Sequence, residues 1–345
     1  MLAQWSTSGL FAGFAVAALV VFISGLRLTG LADKLADRTG LGEAITGAVL
    51  LGAATSLSGT IVSITAAYDG FASLAYSNSI GGIAAQTAFL AVADVTYRKA
   101  NLEHAAAELA NIFQSVVLIV LLALPLLAVN VTEFTIFAVH PVSLAIPVIY
   151  ILALFATRDL RETPMWRPVS TRETRTDSPD KEDGETRRTS TARLFLSFFA
   201  LMAVMGVAGW VIAKTAAEIT GRMAFSESLV GALATAVVTS LPELVTTVAA
   251  VRRGALQLAV GGIIGGNTFD TLFLTAADVT YRDGSLYHAA GMEDYFWTVT
   301  AILMTGVLLG GLILRQRMGP WRIGLESVAL LVIYAGAIAI QATAG

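Results

Sequence analysis

The sequence predicts an all-α polytopic membrane protein of ten transmembrane helices, arranged as two inverted five-helix repeats. Three observations carry that prediction. The 345 residues are 56% hydrophobic and 14% charged, whereas soluble domains carry about 25% charged residues. Hydropathy marks ten apolar runs of about 20 residues or more, the length that crosses a bilayer. The two halves of the chain also repeat one another without a gap, at a constant offset of 184 residues.

In order, the spans are expected near 8–29, 42–67, 71–97, 105–128 and 133–156, then 194–216, 226–250, 255–279, 290–314 and 321–343. Met1–Thr7 is too short and uncharged for the n-region of a cleavable signal peptide, so the first run is expected to remain a helix. Residues 157–193 are rich in Arg, Thr, Glu, Asp and Ser and read as a flexible mixed-charge tether. The chain is thereby divided into a first repeat at 1–156, a linker at 157–193 and a second repeat at 194–345. With alternating spans, every Lys and Arg except Lys214, Arg222 and Arg282 falls on one side. Positive loops stay in the cytoplasm, so both termini are expected outside and the linker inside.

The repeat is visible residue by residue. Ala93-Asp94-Val95-Thr96-Tyr97-Arg98 returns as Ala277-Asp278-Val279-Thr280-Tyr281-Arg282, and Thr55-Ser56-Leu57 as Thr239-Ser240-Leu241. Gly81-Gly82 returns as Gly265-Gly266. Roughly 25 of the 65 positions from Leu41 to Ala105 are identical, more than shared hydrophobicity supplies. An odd number of spans per half inverts the second copy. Inverted repeats of this kind build secondary transporters, with the substrate site near the midplane.

Two acids lie inside the apolar runs of the second repeat: Glu243 in Thr239-Ser240-Leu241-Pro242-Glu243, and Asp270 in Gly265-Gly266-Asn267-Thr268-Phe269-Asp270. An acid in hydrocarbon is costly, which makes it a candidate functional group; the alternative is helix–helix hydrogen bonding. Thr239 and Glu243 are i and i+4 on a helix and share a face, as do Asn267 and Asp270 at i and i+3. Pro242 removes a backbone donor and kinks its helix, and freed carbonyls at membrane depth can coordinate a cation. The paired glycines 265 and 266 are expected to admit a neighbouring backbone. Carboxylate, carbonyl, amide and hydroxyl oxygens suit Ca²⁺ or Na⁺.

On these motifs the sequence resembles the calcium/cation antiporter superfamily, which includes sodium/calcium and proton/calcium exchangers. Its two alpha repeats each carry a Thr-Ser-x-Pro-Glu kinked helix followed by a Gly-Asn-type helix. The resemblance implies secondary antiport of Ca²⁺ or a related cation against Na⁺ or H⁺, with no resident cofactor. It implies ion coordination by Thr239, Ser240, Glu243 and Asp270, with Asn267 in support. The partners expected are the lipid bilayer and the transported cations, and the location an integral membrane protein of a prokaryotic plasma membrane.

The first repeat departs from the pattern. Ser58 stands opposite Pro242, Gly59 opposite Glu243, Ile83 opposite Asn267 and Gln86 opposite Asp270, while Thr55 and Ser56 persist. The kink proline and the acid are both lost. Two carboxylates neutralise one Ca²⁺, and Thr55, Ser56, Gln86 and backbone carbonyls would complete about six or seven oxygens. The bare Gly59 is expected to leave a gap for water or a larger substrate. A second reading is therefore an antiporter-fold transporter for a different cation or a small solute.

Other polar residues are read more plainly. Asp94 and Asp278 are expected to snorkel or to pair with Arg98 and Arg282. Glu43 and Glu227 open matched spans and favour the helix dipole. His104, His140 and His288 are too scattered for a metal cluster but could tune a pH response. Glu108 and the Glu293-Asp294 pair are candidates to line an access path. There is no cysteine, no His-Glu-x-x-His and no Gly-x-Ser-x-Gly, so enzyme chemistry is not expected. No nucleic-acid motif is present either.

Overall fold

The computed structural model describes residues 4–39, 54–97, 99–174, 190–319 and 323–344. Its long helices are α1 (Thr7–Thr39), α2 (Leu57–Tyr68), α3 (Ala72–Thr96), α4 (Leu109–Val129), α5 (Pro141–Glu162) and α6 (Thr191–Met223). They continue with α7 (Glu227–Thr239), α8 (Leu241–Arg253), α9 (Leu256–Asp270), α10 (Leu272–Thr280), α11 (Met292–Leu314) and α12 (Leu325–Ala344). There is no strand among the described residues, only an isolated bridge between Ile136 and Val139.

Seven of these helices are long and apolar enough to cross a membrane, and α7 with α8 makes an eighth that is bent by 45°. The expected span at 42–67 begins outside the described residues and ends as α2. The span at 255–279 is not one helix but two, broken at Thr271 into α9 and α10. The fifth span starts at Pro141 and not near residue 133. Phe137 and Ala138 are left-handed there, and Pro141 occupies the first helical turn, where its missing N–H costs nothing.

Helix α8 follows Ser240 (φ −96°, ψ 1°) at the 45° bend, and α2 follows a turn at Ser56 (φ −80°, ψ −2°) that stays in the right-handed helical region. The helix expected before Ser56 lies mostly outside the described residues. Around Ser56, side chains add to the backbone hydrogen bonds. Thr60 Oγ1 donates to the Ser56 carbonyl at 2.9 Å, and Asn78 Nδ2 donates to the Gly59 carbonyl at 3.0 Å. Irregular backbone at membrane depth persists only where such partners exist.

The centre of the bundle is α3. Its apolar window is 78% buried, against 28% for α1 and α6. Small residues make that position possible. A Cβ on Gly81 would lie 2.4 Å from Ala232 Cα, and one on Gly231 would lie 2.9 Å from the Leu74 carbonyl oxygen. The first half's glycine is thus where backbones cross, over a segment of α7 (Val230–Thr235) wound as a π-helix. The pair expected to do this, Gly265 and Gly266, instead faces side-chain amides, Gln114 and Gln86 at 3.5–3.6 Å.

Helices α1 and α6 pack along each other and each crosses a broken helix of the opposite half. Gly25 of α1 faces the Pro242 ring, where an added Cβ would lie 2.5 Å from Cγ; a Cβ on Gly209 of α6 would lie 2.7 Å from the Ser58 carbonyl oxygen. The two contacts are 184 residues apart on both sides.

The buried carboxylates Asp94 and Asp278 follow the same rule. Asp94 accepts from Leu102 N at 2.8 Å and Gly324 N at 2.9 Å; Asp278 accepts from Leu286 N and His140 N, both at 2.8 Å. Ser143 Oγ adds a third bond to Asp278 at 2.6 Å. These acids cap orphan backbone donors. Arg282 donates to the Phe137 carbonyl, and Arg98 lies outside the described residues.

The start of the linker is docked and not free. Arg315 donates to the Val169 carbonyl at 2.6 Å and to Thr174 Oγ1 at 3.2 Å, His104 Nε2 pairs with Thr171 Oγ1 at 2.9 Å, and Arg317 pairs with Glu173.

The crossing at Gly81 yields a prediction. Gly81→Leu forces side-chain atoms into the α7 backbone and should cost about 1–3 kcal/mol, read as a lower melting temperature in detergent. Gly262→Ala, which meets nothing within 4 Å, should leave melting unchanged or raise it.

Candidate functional site

The breaks before α2 and α8 and the end of α9 converge beside the middle of α3. Asp270, the last residue of α9, is 2% exposed, and Glu243, in the first turn of α8, is 8% exposed. Ser56 Oγ donates to Asp270 Oδ1 at 2.6 Å. Gln86 Nε2 donates to Asp270 Oδ2 at 2.7 Å and to Ser240 Oγ at 3.1 Å. Thr55 lies beside the Glu243 carboxyl. Gly82 forms the floor: a Cβ there would stand 3.5 Å from Ser240 Oγ and 3.9 Å from Asp270 Oδ2.

Six of the eight residues anticipated from sequence are thereby drawn into one cluster: Thr55, Ser56, Gln86, Ser240, Glu243 and Asp270. The other two are adjacent but turned to other partners. Thr239 Oγ1 donates back to the Thr235 and Ala236 carbonyls of its own helix at 2.9 and 3.2 Å. Asn267 Nδ2 donates to Thr87 Oγ1 at 2.9 Å, tethering α9 to α3.

Residues not anticipated hold the cluster in place. Ser79 Oγ donates to the Asp270 carbonyl at 2.8 Å, fixing the end of α9 against α3. Ser79 stands opposite Ile263 in the repeat, so no pairing signalled it. Thr87 and Phe273 each have an identical counterpart, Thr271 and Phe89, and that identity was the available signal. The gap expected at Gly59 does not exist, because the Phe273 ring fills it; a Cβ on Gly59 would lie 2.7 Å from Cε2.

The remaining candidates lie elsewhere. Glu108 pairs with Arg161 at 3.1 Å, Glu293 accepts from Gln341 at 2.8 Å, and Glu227 accepts from Leu74 N at 3.4 Å. Glu43 is outside the described residues. Asp294 is buried under Ser73 Oγ, Ser77 Oγ and Gly291 N. Two of the three histidines do meet, since the His140 and His288 rings lie 5.6 Å apart, far in sequence from His104.

Chemically the cluster offers acceptor oxygens in a buried setting. Glu243 Oε2 and Gln86 Oε1 have no hydrogen-bond partner. Two neighbouring carboxylates buried with only neutral donors beside them favour neutralisation by a cation or by protons. Among the described residues no group of three or more His, Asp or Glu is placed to hold a metal ion. A cation here would draw most of its ligands from neutral oxygens.

Broken helices whose ends bring buried acids and neutral oxygens together at membrane depth define an ion-handling membrane protein of the transporter class. The family model for sodium/calcium exchanger protein matches residues 9–157 and 193–343. The chain belongs to that family of membrane antiporters. Among curated proteins it is similar to the inner membrane protein YrbG of Escherichia coli (strain K12), 31% identical over 128 residues. It is also similar to the putative antiporter CaxA of Alkalimonas amylolytica, 27% identical over 121 residues. These matches span 37% and 35% of this chain and only 38% and 36% of the two relatives. Its fold matches solved structures across nearly the whole chain. The sodium-calcium exchanger NCX_Mj (2.5 mM Na⁺, 0.1 mM Sr²⁺) has a TM-score of 0.63 at 16% identity, covering 97% of this chain and 99% of that one. The H⁺/Ca²⁺ exchanger CAX has a TM-score of 0.66 at 13% identity, covering 97% and 86%.

Gln86 is the link between the acids and α3, and it should be needed for stability. Gln86→Leu leaves Asp270 Oδ2 without its donor and should cost about 1.5–3 kcal/mol, the range for a hydrogen bond to a charged group. A melting temperature equal to wild type would mean that this bond is not formed.

Proposed function

We propose that the protein is a secondary active cation antiporter, not an enzyme, exchanging Ca²⁺ or a related cation against Na⁺ or H⁺ by alternating access. One observation carries the reading. The Asp270 carboxylate of the second half is held by a hydroxyl and an amide of the first, Ser56 at 2.6 Å and Gln86 at 2.7 Å, with Thr55 of the first half beside Glu243. A site shared between the halves is exposed or closed by their relative movement, which is what alternating access requires. The ion set is Glu243, Asp270, Ser240, Gln86, Thr55 and Ser56, with Thr239 and Asn267 supporting. Ca²⁺ and Na⁺ both suit these hard oxygens, and two carboxylates balance one divalent or two monovalent ions.

In this reading residues 1–156 and 194–345 are inverted five-helix repeats, ten spans in all, joined by a cytoplasmic linker at 157–193. The paired contacts support the inversion. Gly25–Pro242 mirrors Gly209–Ser58, and the Asp94 caps mirror the Asp278 caps at the same offset. Orientation is supported by what shares an end of the bundle. Arg315 and Arg317 sit with the linker, whereas Lys214 pairs with Asp69 at 2.6 Å and Arg222 reaches the Trp5 carbonyl near the N-terminus. Both termini then lie outside a prokaryotic plasma membrane. A second reading, transport of a different cation or small solute on the same fold, is favoured by one feature alone: Gly59 stands where the repeat would carry an acid.

Flux in proteoliposomes across a panel of cations, under imposed Na⁺ and H⁺ gradients, tests the reading. Glu243→Gln and Asp270→Asn should each lower transport at least about 100-fold, equivalent to about 2.7 kcal/mol, while the purified proteins stay monodisperse. Normal flux in either variant would make that acid structural. Orientation is checked separately, since the chain has no cysteine of its own. Tyr68→Cys and Asp283→Cys should react with an impermeant thiol reagent in intact cells. Lys99→Cys and Arg253→Cys should react only after permeabilisation.

A further inference from the structure

We propose that Phe273 sets the capacity and size selectivity of the cation site by occupying the volume that Gly59 leaves free. The inference rests on the cation-exchange reading and names the residue that limits it.

Gly59 is the first-half counterpart of Glu243, yet it does not open onto the site. A Cβ on Gly59 would lie 2.7, 3.3 and 3.6 Å from Phe273 Cε2, Cζ and Cδ2, so the ring stands against bare α2 backbone. That backbone is pinned, because the Gly59 carbonyl accepts from Asn78 Nδ2 at 3.0 Å. The ring is also pinned. It is 4% exposed and edge-on to Phe269 at a centroid distance of 6.4 Å, and Phe269 is edge-on to Tyr150 at 6.0 Å. Phe273 follows Asp270 by three residues across the turn at Thr271, which places this aromatic row beside the acid.

A ring and a glutamate side chain cannot share one close-packed volume. The ring contributes no lone pair, so ligands on its side of the site come from Thr55, Ser56 and backbone oxygens. Ligand charge and rigidity of the walls tune affinity and selectivity among hard cations. With Phe273 in place the site keeps two carboxylates and one unyielding apolar wall. The ring lies where a Gly59 side chain would begin, so Gly59→Glu alone is insufficient to restore a third acid; since the repeat counterparts Phe89 and Glu243 coexist, it is the packing of the ring against Gly59, not its presence, that sets the first half apart.

The test compares wild type, Phe273→Ala, Phe273→Leu, Gly59→Glu and the Gly59→Glu/Phe273→Ala double variant. Binding of Ca²⁺, Sr²⁺ and Ba²⁺ is measured by calorimetry in detergent, and charge per cycle by current at fixed gradients. Gly59→Glu alone should lose at least about tenfold in Ca²⁺ affinity. The double variant should recover it and bind about tenfold tighter than wild type, a gain of about 1.4 kcal/mol, with more charge moved per cycle. Phe273→Ala should shrink the preference for Ca²⁺ over Ba²⁺ about threefold, and Phe273→Leu, intermediate in bulk, should shrink it by less. A double variant no better than Gly59→Glu, or a Phe273→Ala with wild-type selectivity, overturns the proposal. A wild type that binds no divalent cation overturns the exchange reading instead. The volume claim is then decided by melting temperature: a double variant more stable than Gly59→Glu upholds it, and an additive loss overturns it.

Discussion

The structure depends on keeping the Asp270 carboxylate buried. Removing a charged carboxylate from water costs several kcal/mol even after relaxation, and only close partners offset it. Here the partners come from two elements, Ser56 in the turn before α2 and Gln86 on α3, and the Gln86 amide also donates to the Ser240 hydroxyl. Ser56 and Gln86 must sit at hydrogen-bond distance for the acid to be tolerated. The breaks in the helices, the central position of α3 and the glycine crossings all serve that convergence.

Small residues decide where the helices can cross. Gly81 and Gly231 let α3 and α7 approach backbone to backbone, and Gly25 and Gly209 let α1 and α6 lie against the two broken helices. In a bilayer there is no hydrophobic drive between apolar helices, so close packing and hydrogen bonds hold them. The buried Asp94 and Asp278 contribute in kind, tying each α3-type helix end to the last helix of the opposite half. The result is a frame around α3, with α1 and α6 packed as a pair at its flank.

The asymmetry between the halves is concentrated at one place. The second half brings Pro242, Glu243 and Asp270; the first brings Ser58, Gly59 and Gln86, with a turn at Ser56 before α2. Thr60 Oγ1 donates to the Ser56 carbonyl and Asn78 Nδ2 to the Gly59 carbonyl, so the backbone beside that turn has side-chain partners. What the first half has given up is charge, and the space has gone to Phe273.

Much of this was legible in the sequence. Hydropathy, the offset of 184 and the lopsided cations identify a helical membrane protein with an internal repeat, because bilayer thickness and charge translocation act on sequence directly. The buried acids were legible for the same reason: a carboxylate within an apolar run has few explanations. Six of the eight anticipated site residues do meet, since Thr55-Ser56 and Thr239-Ser240 mark the breaks in both copies. Tertiary structure alone decided the rest. That Phe273 fills the side of Gly59, that Asp94 and Asp278 cap backbone donors of distant segments, and that Gly81 admits a backbone where Gly265 admits an amide are matters of which surfaces face each other. Side-chain type carries no record of that; it is set by contacts between residues as far apart as 59 and 273, where only packing determines the neighbour.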